Sequence, residues 1–249
     1  MARLDGKVAI VTGGGSGIGK GIAHGLALEG ASTVIAARGV ERLNLAAEEI
    51  MAFGGKAVAI PTDVTVEAQV KALFDRTMEL FHRVDILINN AGAIDGGPLD
   101  ELPVETWDKV IVTNLRGPFL CTRSAMRIMK RQGGGRILNI GSISAQRPRF
   151  NSGPYATSKF GIWGLTIVTA LEGRNHGISA SCLHPGNVDV EMTADDVGGA
   201  SGIPAYSSEP KIEVREIAEV AVLMACLPPH VNMLEAIVLP VKQDYLGRG

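Results

Sequence analysis

Lys7-Val-Ala-Ile-Val-Thr12 runs directly into Gly13-Gly-Gly-Ser-Gly-Ile-Gly19, and an apolar-periodic stretch from Ile22 to Leu28 follows. The first run is short and β-branched, suited to a strand buried on both faces. Strand, glycine turn and helix, in that order, is the context a dinucleotide-binding loop requires. Gly13 permits the tight turn, Gly17 lets a pyrophosphate approach the backbone, and Gly19 lets the helix pack on the strand. Free amides at the helix N-terminus then face the phosphates. A glycine cluster by itself is equally an ordinary β–α turn, so the rest of the chain has to decide.

It decides by alternation. Strand-like runs recur at residues 32–36, 57–61, 86–89, 136–140, 179–183 and 236–240. Helix-like stretches lie between them, at 18–29, 40–53, 67–81, 106–130, 155–172 and 214–227. Strands alternating with helices predict an α/β, Rossmann-type doubly wound parallel sheet of about seven strands, with helices on both faces. Ligands in such sheets gather at the carboxyl ends of the strands. The 249 residues, 46% of them hydrophobic, suffice for one large α/β domain or two small ones. No linker, repeat or low-complexity tract divides the chain, which predicts a single domain over residues 1–249.

Composition narrows the partners. A net charge of −2 without a basic cluster suggests neither nucleic acid nor an anionic membrane surface. No apolar run approaches the ~18 residues of a membrane span, and Met1 stands too close to the first strand for a signal peptide. Cys121, Cys182 and Cys226 suit reduced thiols in a cytoplasmic protein. The five histidines show no ligand spacing, so no metal is expected.

Chemistry concentrates between Ser142 and Lys159. Tyr155 and Lys159 are four apart, slightly more than one helical turn, which stacks phenol over ammonium on one face. A phenol ordinarily ionises near pH ~10; a cation close by favours the phenolate and makes it a credible general acid or base. Ser142 could supply a hydrogen bond to a substrate oxygen. A Y-x-x-x-K pair alone is more often a solvated helix surface.

The motifs agree in order and spacing. T-G-G-G-S-G-I-G at residues 12–19, N-N-A-G at 89–92, Asn114, Ser142, Y-A-T-S-K at 155–159 and P-G at 185–186 follow one another. The chain resembles the classical short-chain dehydrogenase/reductase family from its first strand to about Gly186. The resemblance implies that Tyr155 gives a proton to a carbonyl oxygen during reduction or removes one from an alcohol during oxidation. Lys159 would assist Tyr155 and bond the nicotinamide-ribose hydroxyls. Ser142 would orient the carbonyl and stabilise charge on its oxygen. Asn114 would hold a water linking Lys159 to solvent, although an Asn within a helix can simply bond nearby backbone.

The same resemblance implies a cofactor-binding set. The loop residues Gly13, Gly15, Ser16, Gly17, Ile18 and Gly19 would cradle the phosphates. Asp63 would bond the adenine amino group and the Val64 amide the ring, though Asp63 could instead cap the helix at 67–81. Asn90, Ala91 and Gly92 would pass under the adenosine ribose, with Asn89 and Asn90 equally able to brace the sheet. Ile140 would touch the cofactor, and Pro185, Gly186 and Val188 would flank the nicotinamide. At the end of the second strand, Ala36-Ala37 lacks the acid that bonds an NAD ribose, while Arg38 could pair with a 2′-phosphate. NADP(H) is therefore expected and NAD(H) is the alternative. Ser16 occupies the other position where NADP(H) forms often carry a base, so the expectation rests on Arg38.

Two departures stand out. Val190 takes the place of a threonine that usually bonds the carboxamide. Leu-Pro-Val-Lys-Gln at 239–243 replaces the usual V-D-G-G turn and is closer to the branch with serine- and hydroxy-acid-type dehydrogenases. Residues 190–212, rich in Gly, Ser and Asp, read as a substrate lid. Arg147 and Arg149 read as solvated loop charges that could also meet an anionic substrate. The expected function is an NADP(H)-dependent oxidoreductase interconverting a small-molecule carbonyl and a secondary alcohol. The alternatives are an NAD-dependent alcohol dehydrogenase of the same fold and a non-catalytic NADP(H)-binding sensor or scaffold. Phe160, Trp163, Leu165, Ile167, Val168 and Leu171 leave the 155–172 helix apolar nearly all round, while Gly161 and Gly164 leave room for a neighbouring helix. Trp107, Val110, Phe119 and Met126 add to this surface, and a homotetramer is predicted ahead of a dimer.

Overall fold

Val8–Thr12 forms β1, and all five of its side chains are buried. The pleat sends them to opposite faces: Ala9 and Val11 join one hydrophobic cluster while Ile10 joins the other. Fully burying a side chain of this size stabilises by roughly 1.5–3 kcal/mol, and that is why a β-branched run with no polar alternation belongs at the centre of a sheet. The computed structural model of the chain describes residues 2–190 and 209–245. Further strands are β2 (Ser32–Ala37), β3 (Lys56–Pro61), β4 (Ile86–Asn89), β5 (Gly135–Ile140) and β6 (Ile178–Pro185). Two short strands, β7 (Val188–Asp189) and β8 (Ile212–Glu213), pair with each other, and β9 (Glu235–Val238) closes the main sheet.

The main sheet has seven parallel strands in the order β3-β2-β1-β4-β5-β6-β9. Helices α1 (Gly17–Leu28), α2 (Val40–Ala52) and α7 (Val214–Ala225) cover one face with Ile22, Leu26, Leu43, Ile50 and Ile217. Helices α3 (Glu67–Phe81) and α5 (Gly117–Gln132) cover the other with Val70, Leu73, Phe74, Leu120 and Met129. The last helix on that side, α6 (Gly153–Gly173), begins with Pro154 in its first turn, where a missing N–H costs nothing. The chain runs outward through β2 and β3, then returns to β4 beside β1. That reversal parts the loops at the carboxyl ends of β1 and β4 and opens a crevice there.

Asp85 fixes the register of this centre. Its carboxylate accepts from the Val8 amide at 2.9 Å and from both arms of the Arg83 fork at 2.6 and 2.7 Å, with Lys7 at 3.3 Å. Burial by itself would raise the Asp85 carboxyl, but the Arg83 and Val8 hydrogen bonds and Lys7 outweigh it and hold the group below its ordinary range.

The long helix expected over residues 106–130 is not continuous. Helix α4 (Val104–Ile111) gives way to a π-helical turn at Val112–Arg116 before α5 begins. The wider turn delivers Asn114 inward, where it is buried. Hydrophobic spacing cannot register one extra residue in a turn, and such bulges gather at functional sites. The final strand also starts earlier than expected, because Glu235 pairs with Cys182 and Leu239-Pro240 already leaves the sheet. Most of the expected lid, residues 191–208, lies outside the described residues.

Candidate active site

The glycine turn is built for close approach. Gly13 and Gly17 have φ of +67° and +48°, which L side chains rarely adopt. A Cβ at Gly19 would collide with the Gly13 carbonyl and the Asn90 amide. Gly19 therefore packs α1 against the turn and Asn90, rather than standing in the crevice wall. Asn90 Nδ2 in turn donates to the carbonyls of Thr12 at 3.1 Å and Gly13 at 3.3 Å, tying β4 to the loop. Asn89 points into the sheet instead, donating to Thr122 Oγ1 at 3.0 Å and Asn139 Oδ1 at 2.8 Å. Of the two asparagines, one braces the sheet and the other shapes the cleft.

Two adjoining cavities, of about 560 and 660 Å³, share Gly13, Ser16, Ala91 and Gly92 and form one groove along the strand ends. The inner part is lined by Gly17, Ile18, Asn90 and Ile140, by Ser142, Tyr155 and Lys159, and by Pro185, Gly186 and Val188. Gly15, Arg38, Asp63 and Val64 line the outer part. Every expected site residue therefore borders this groove except Gly19 and Asn114, which stand just behind its wall.

Lys159 is 6% exposed, and its Nζ donates to the Ile140 carbonyl at 2.9 Å, 5.5 Å from the Tyr155 ring centre. An ammonium has three donors, so two stay for groups entering the cleft. Ser142 Oγ accepts from the Ser144 amide at 3.1 Å, as the cap of a short 3₁₀ turn at Ile143–Ala145. A hydroxyl that accepts in this way keeps its own proton to donate. Asn114 is engaged at both ends of its amide: Oδ1 accepts from the Ala93 amide at 2.7 Å, and Nδ2 donates to Ala93 O at 2.9 Å and Ser158 Oγ at 3.1 Å. It clamps the loop after β4 to α6.

In the outer part, no carboxylate follows β2, and Arg42 stands one turn into α2 beside Arg38 and Lys109. Asp63 does not cap α3. Its Oδ1 accepts from Thr65 N at 2.9 Å and Thr65 Oγ1 at 2.7 Å, a local turn that leaves the carboxylate facing the groove. At the other end, Val190 lies over Gly17, 3.5 Å from where a Cβ would be, and its side chain offers no donor. Arg147 is exposed, as expected of a loop charge. Arg149 is not: its side chain is 17% exposed, lines the inner cleft and grips Glu209 through both nitrogens at 2.7 and 2.8 Å. The glycine loop, the side chains of Ser142, Tyr155 and Lys159, and Arg38 and Arg42 after β2 thus share one continuous groove.

The sequence profile of the short chain dehydrogenase family matches residues 7–199. The chain belongs to this family. It is an oxidoreductase that works between CH–OH groups and a nicotinamide dinucleotide. An uncharacterized oxidoreductase of Bacillus subtilis is 36% identical over 233 residues, 88% of this chain and 91% of the relative. A short-chain dehydrogenase/reductase from Mycobacterium marinum superposes with a TM-score of 0.88 at 29% identity, covering 95% of each chain. A metagenomic short-chain oxidoreductase solved in complex with NADP gives 0.81 at 32% identity, covering 96% of this chain and 98% of that one.

Several groups around the site carried no signal in the sequence. Gln243 reaches back from the tail to accept from the Asn187 amide at 3.0 Å. Tyr245 OH donates to Gln146 Oε1 just beyond the serine turn. The segment that departs from the family's usual ending therefore braces both loops of the cleft. Arg42 was within reach of sequence reasoning, since it falls four residues after Arg38 at the start of a predicted helix. Among the described residues no cluster of metal-ligating side chains occurs, and no helix is long and apolar enough to cross a membrane.

Proposed function

We propose that this short-chain dehydrogenase is an NADP(H)-dependent oxidoreductase of one domain that interconverts a ketone or aldehyde and its alcohol with a Ser142–Tyr155–Lys159 set. The observation that carries this reading is the convergence of those three side chains on the inner end of a groove whose outer end has Arg38, and no carboxylate, directly after β2. A dinucleotide fits the wall: the positive-φ turn at Gly13 and Gly17 and the bare backbone of Gly13, Gly15 and Gly17 along the groove leave the space a pyrophosphate needs. When bound, the nicotinamide supplies or accepts the hydride.

The chain's own residues do the rest. Ser142 donates a hydrogen bond to the substrate oxygen and holds the carbonyl in place, keeping its own proton. Tyr155 transfers the proton, as acid in reduction and base in oxidation. Lys159, fixed by the Ile140 carbonyl, keeps positive charge beside the phenol and has donors left for ribose hydroxyls. Asn114 holds the water that leads from Lys159 towards solvent. With its amide committed to Ala93 and Ser158, that water falls to its backbone carbonyl or the second lone pair of Oδ1, next to a π turn that loosens the local ladder. Arg38, with Arg42 alongside, takes the 2′-phosphate, in keeping with the NADP carried by the metagenomic relative.

The stripe Phe160, Gly164, Ile167, Val168 and Leu171 is exposed along α6, with Phe119 exposed on α5. Gly161 packs instead on Leu115 of the same chain, and Trp163 turns towards His184. The exposed stripe supports a homotetramer, with a dimer as the alternative, and the three free cysteines suit a cytoplasmic location. A panel of ketones, aldehydes and secondary alcohols, followed at the nicotinamide absorbance with NADPH or NADP⁺, tests the activity. Turnover of none of them by a protein that binds NADPH would favour a sensor or scaffold.

A further inference from the structure

One buried titratable group near Ser142 has no part in the chemistry above. His184 lies on β6 just before Pro185 and is 0% exposed. Its Nδ1 is 2.9 Å from the Ser142 carbonyl oxygen and 3.3 Å from the Ser142 amide nitrogen. Its Nε2 is 3.4 Å from Glu235 Oε1 on β9 and makes no hydrogen bond. The ring comes this close because residue 141 is glycine: a Cβ there would stand 2.6 Å from Nδ1. Glu235 Oε1 also accepts from Gln146 Nε2 at 2.7 Å. One carboxylate thus faces the serine turn at both ends, through His184 at residue 142 and through Gln146 after the turn.

A neutral imidazole has one N–H and one lone pair, but this ring faces an acceptor at each nitrogen. With the proton on Nδ1 the Ser142 carbonyl is held, and the Nε2 lone pair meets the Glu235 carboxylate. With the proton on Nε2 the carboxylate is served and Nδ1 accepts from the Ser142 amide at 3.3 Å, but its lone pair also faces the Ser142 carbonyl at 2.9 Å. Only the imidazolium donates to both the carbonyl and the carboxylate. We propose that His184 is a positioning residue for Ser142, and that the proton shared between His184 and Glu235 sets how firmly the serine turn is held. This rests on the reading of Ser142 as the group that orients the substrate oxygen.

The surroundings set the direction of the pH effect. Burial pushes the His184 imidazole below its ordinary range; the Ser142 carbonyl and Glu235 pull it back up, and Lys159 on α6 pushes it down. Cys182, on the same strand, has its thiol pushed up to about 12 by burial and stays uncharged. Trp163 of α6 closes the ring edge-on at 6.0 Å and adds no charge. Proton uptake therefore falls on the acid side of neutrality. Ser142 serves reduction and oxidation alike, so this ionisation should help both directions as pH falls. Tyr155, acid one way and base the other, moves the two directions oppositely.

The test is the pH profile of kcat in both directions for the parent, Ser142→Ala, His184→Ala, His184→Asn and Glu235→Gln, with thermal melts to check folding. The parent should show one limb that rises with falling pH in both directions. His184→Ala should lower kcat on the order of tenfold or more, the scale of a misplaced catalytic group, with cofactor affinity unchanged. His184→Asn, whose amide can donate where Nδ1–H did, should recover kcat without the shared limb, and Glu235→Gln should lose the limb. A limb that persists in His184→Asn and Glu235→Gln, or parental kcat in His184→Ala, would overturn the proposal. If His184→Ala does not fold, the other two variants decide. Parental activity in Ser142→Ala would instead sink the serine reading, whereas an inactive Ser142→Ala beside unaltered His184 variants sinks the positioning role alone.

Discussion

Replacing Arg38 by alanine should separate the two nicotinamide cofactors. Arg38 follows Ala37 at the end of β2, is exposed, and lines the outer groove with Arg42 and Lys109. A hydrogen bond to a charged group contributes about 1.5–3 kcal/mol. Exposure lets water and salt screen this contact, and Arg42 stays behind to supply part of the field, so the lower end applies. A loss of about 1.5 kcal/mol is roughly a tenfold rise in Kd, for NADPH alone. NADH has no 2′-phosphate and should bind parent and variant alike. Fluorescence titration of both cofactors against both proteins, at two ionic strengths, measures it. The NADPH difference should shrink at high salt as screening grows. Equal losses for NADPH and NADH would refute the phosphate role, because damage to the β2–α2 turn acts on either cofactor.

Tyr155→Phe keeps the ring and removes the proton donor, so kcat should fall on the order of 10²-fold or more while NADPH binding survives; near-parental kcat would end the assignment. Asp85→Asn removes the carboxylate that binds Arg83, Lys7 and the Val8 amide, and should cost about 1.5–3 kcal/mol at pH 7 in denaturant unfolding. Its folded carboxyl is held below the ordinary range, so its contribution is present above the unfolded value and lost as pH falls through the folded one. Parent and variant should therefore converge in stability on acidification, and a gap that stays constant would show the carboxylate charge to be irrelevant. Val168→Glu on the exposed face of α6 should shift sedimentation at micromolar concentration from a tetramer to smaller species; a monomeric parent would leave that stripe without its proposed role.

What the sequence revealed follows the range over which each signal acts. The strand at residues 8–12, the glycine turn after it and the Tyr155/Lys159 spacing are local, and local geometry translates them directly. The parallel sheet follows from the alternation, since parallel neighbours need crossover helices. The π turn escaped notice because Asn114 is drawn inward by Ala93 and Ser158, groups 21 and 44 residues away. Arg149 looked like a loop charge because its partner Glu209 is 60 residues on. A helix-cap role stayed open for Asp63 because only the folded loop shows it turned onto Thr65. The tail at residues 239–245 could be seen to differ from the usual ending, but not what it braces: Gln243 meets Asn187 across 56 positions and Tyr245 meets Gln146 across 99.

That tail also orders events during synthesis. The glycine loop, Arg38, Asp63 and the strands β1 to β5 all precede residue 141, so the nucleotide half can gather as soon as those strands leave the ribosome. The serine turn waits longer, because Gln146 donates to Glu235 and accepts from Tyr245. Roughly a hundred residues separate Ile140 from Tyr245, and at about 5–20 residues per second that is an interval of about 5–20 s. During it the glycine loop and the strands around it are complete, while the residues that hold Gln146 are still being made. The turn that carries Ser142 is thus the last part of the cleft to be pinned.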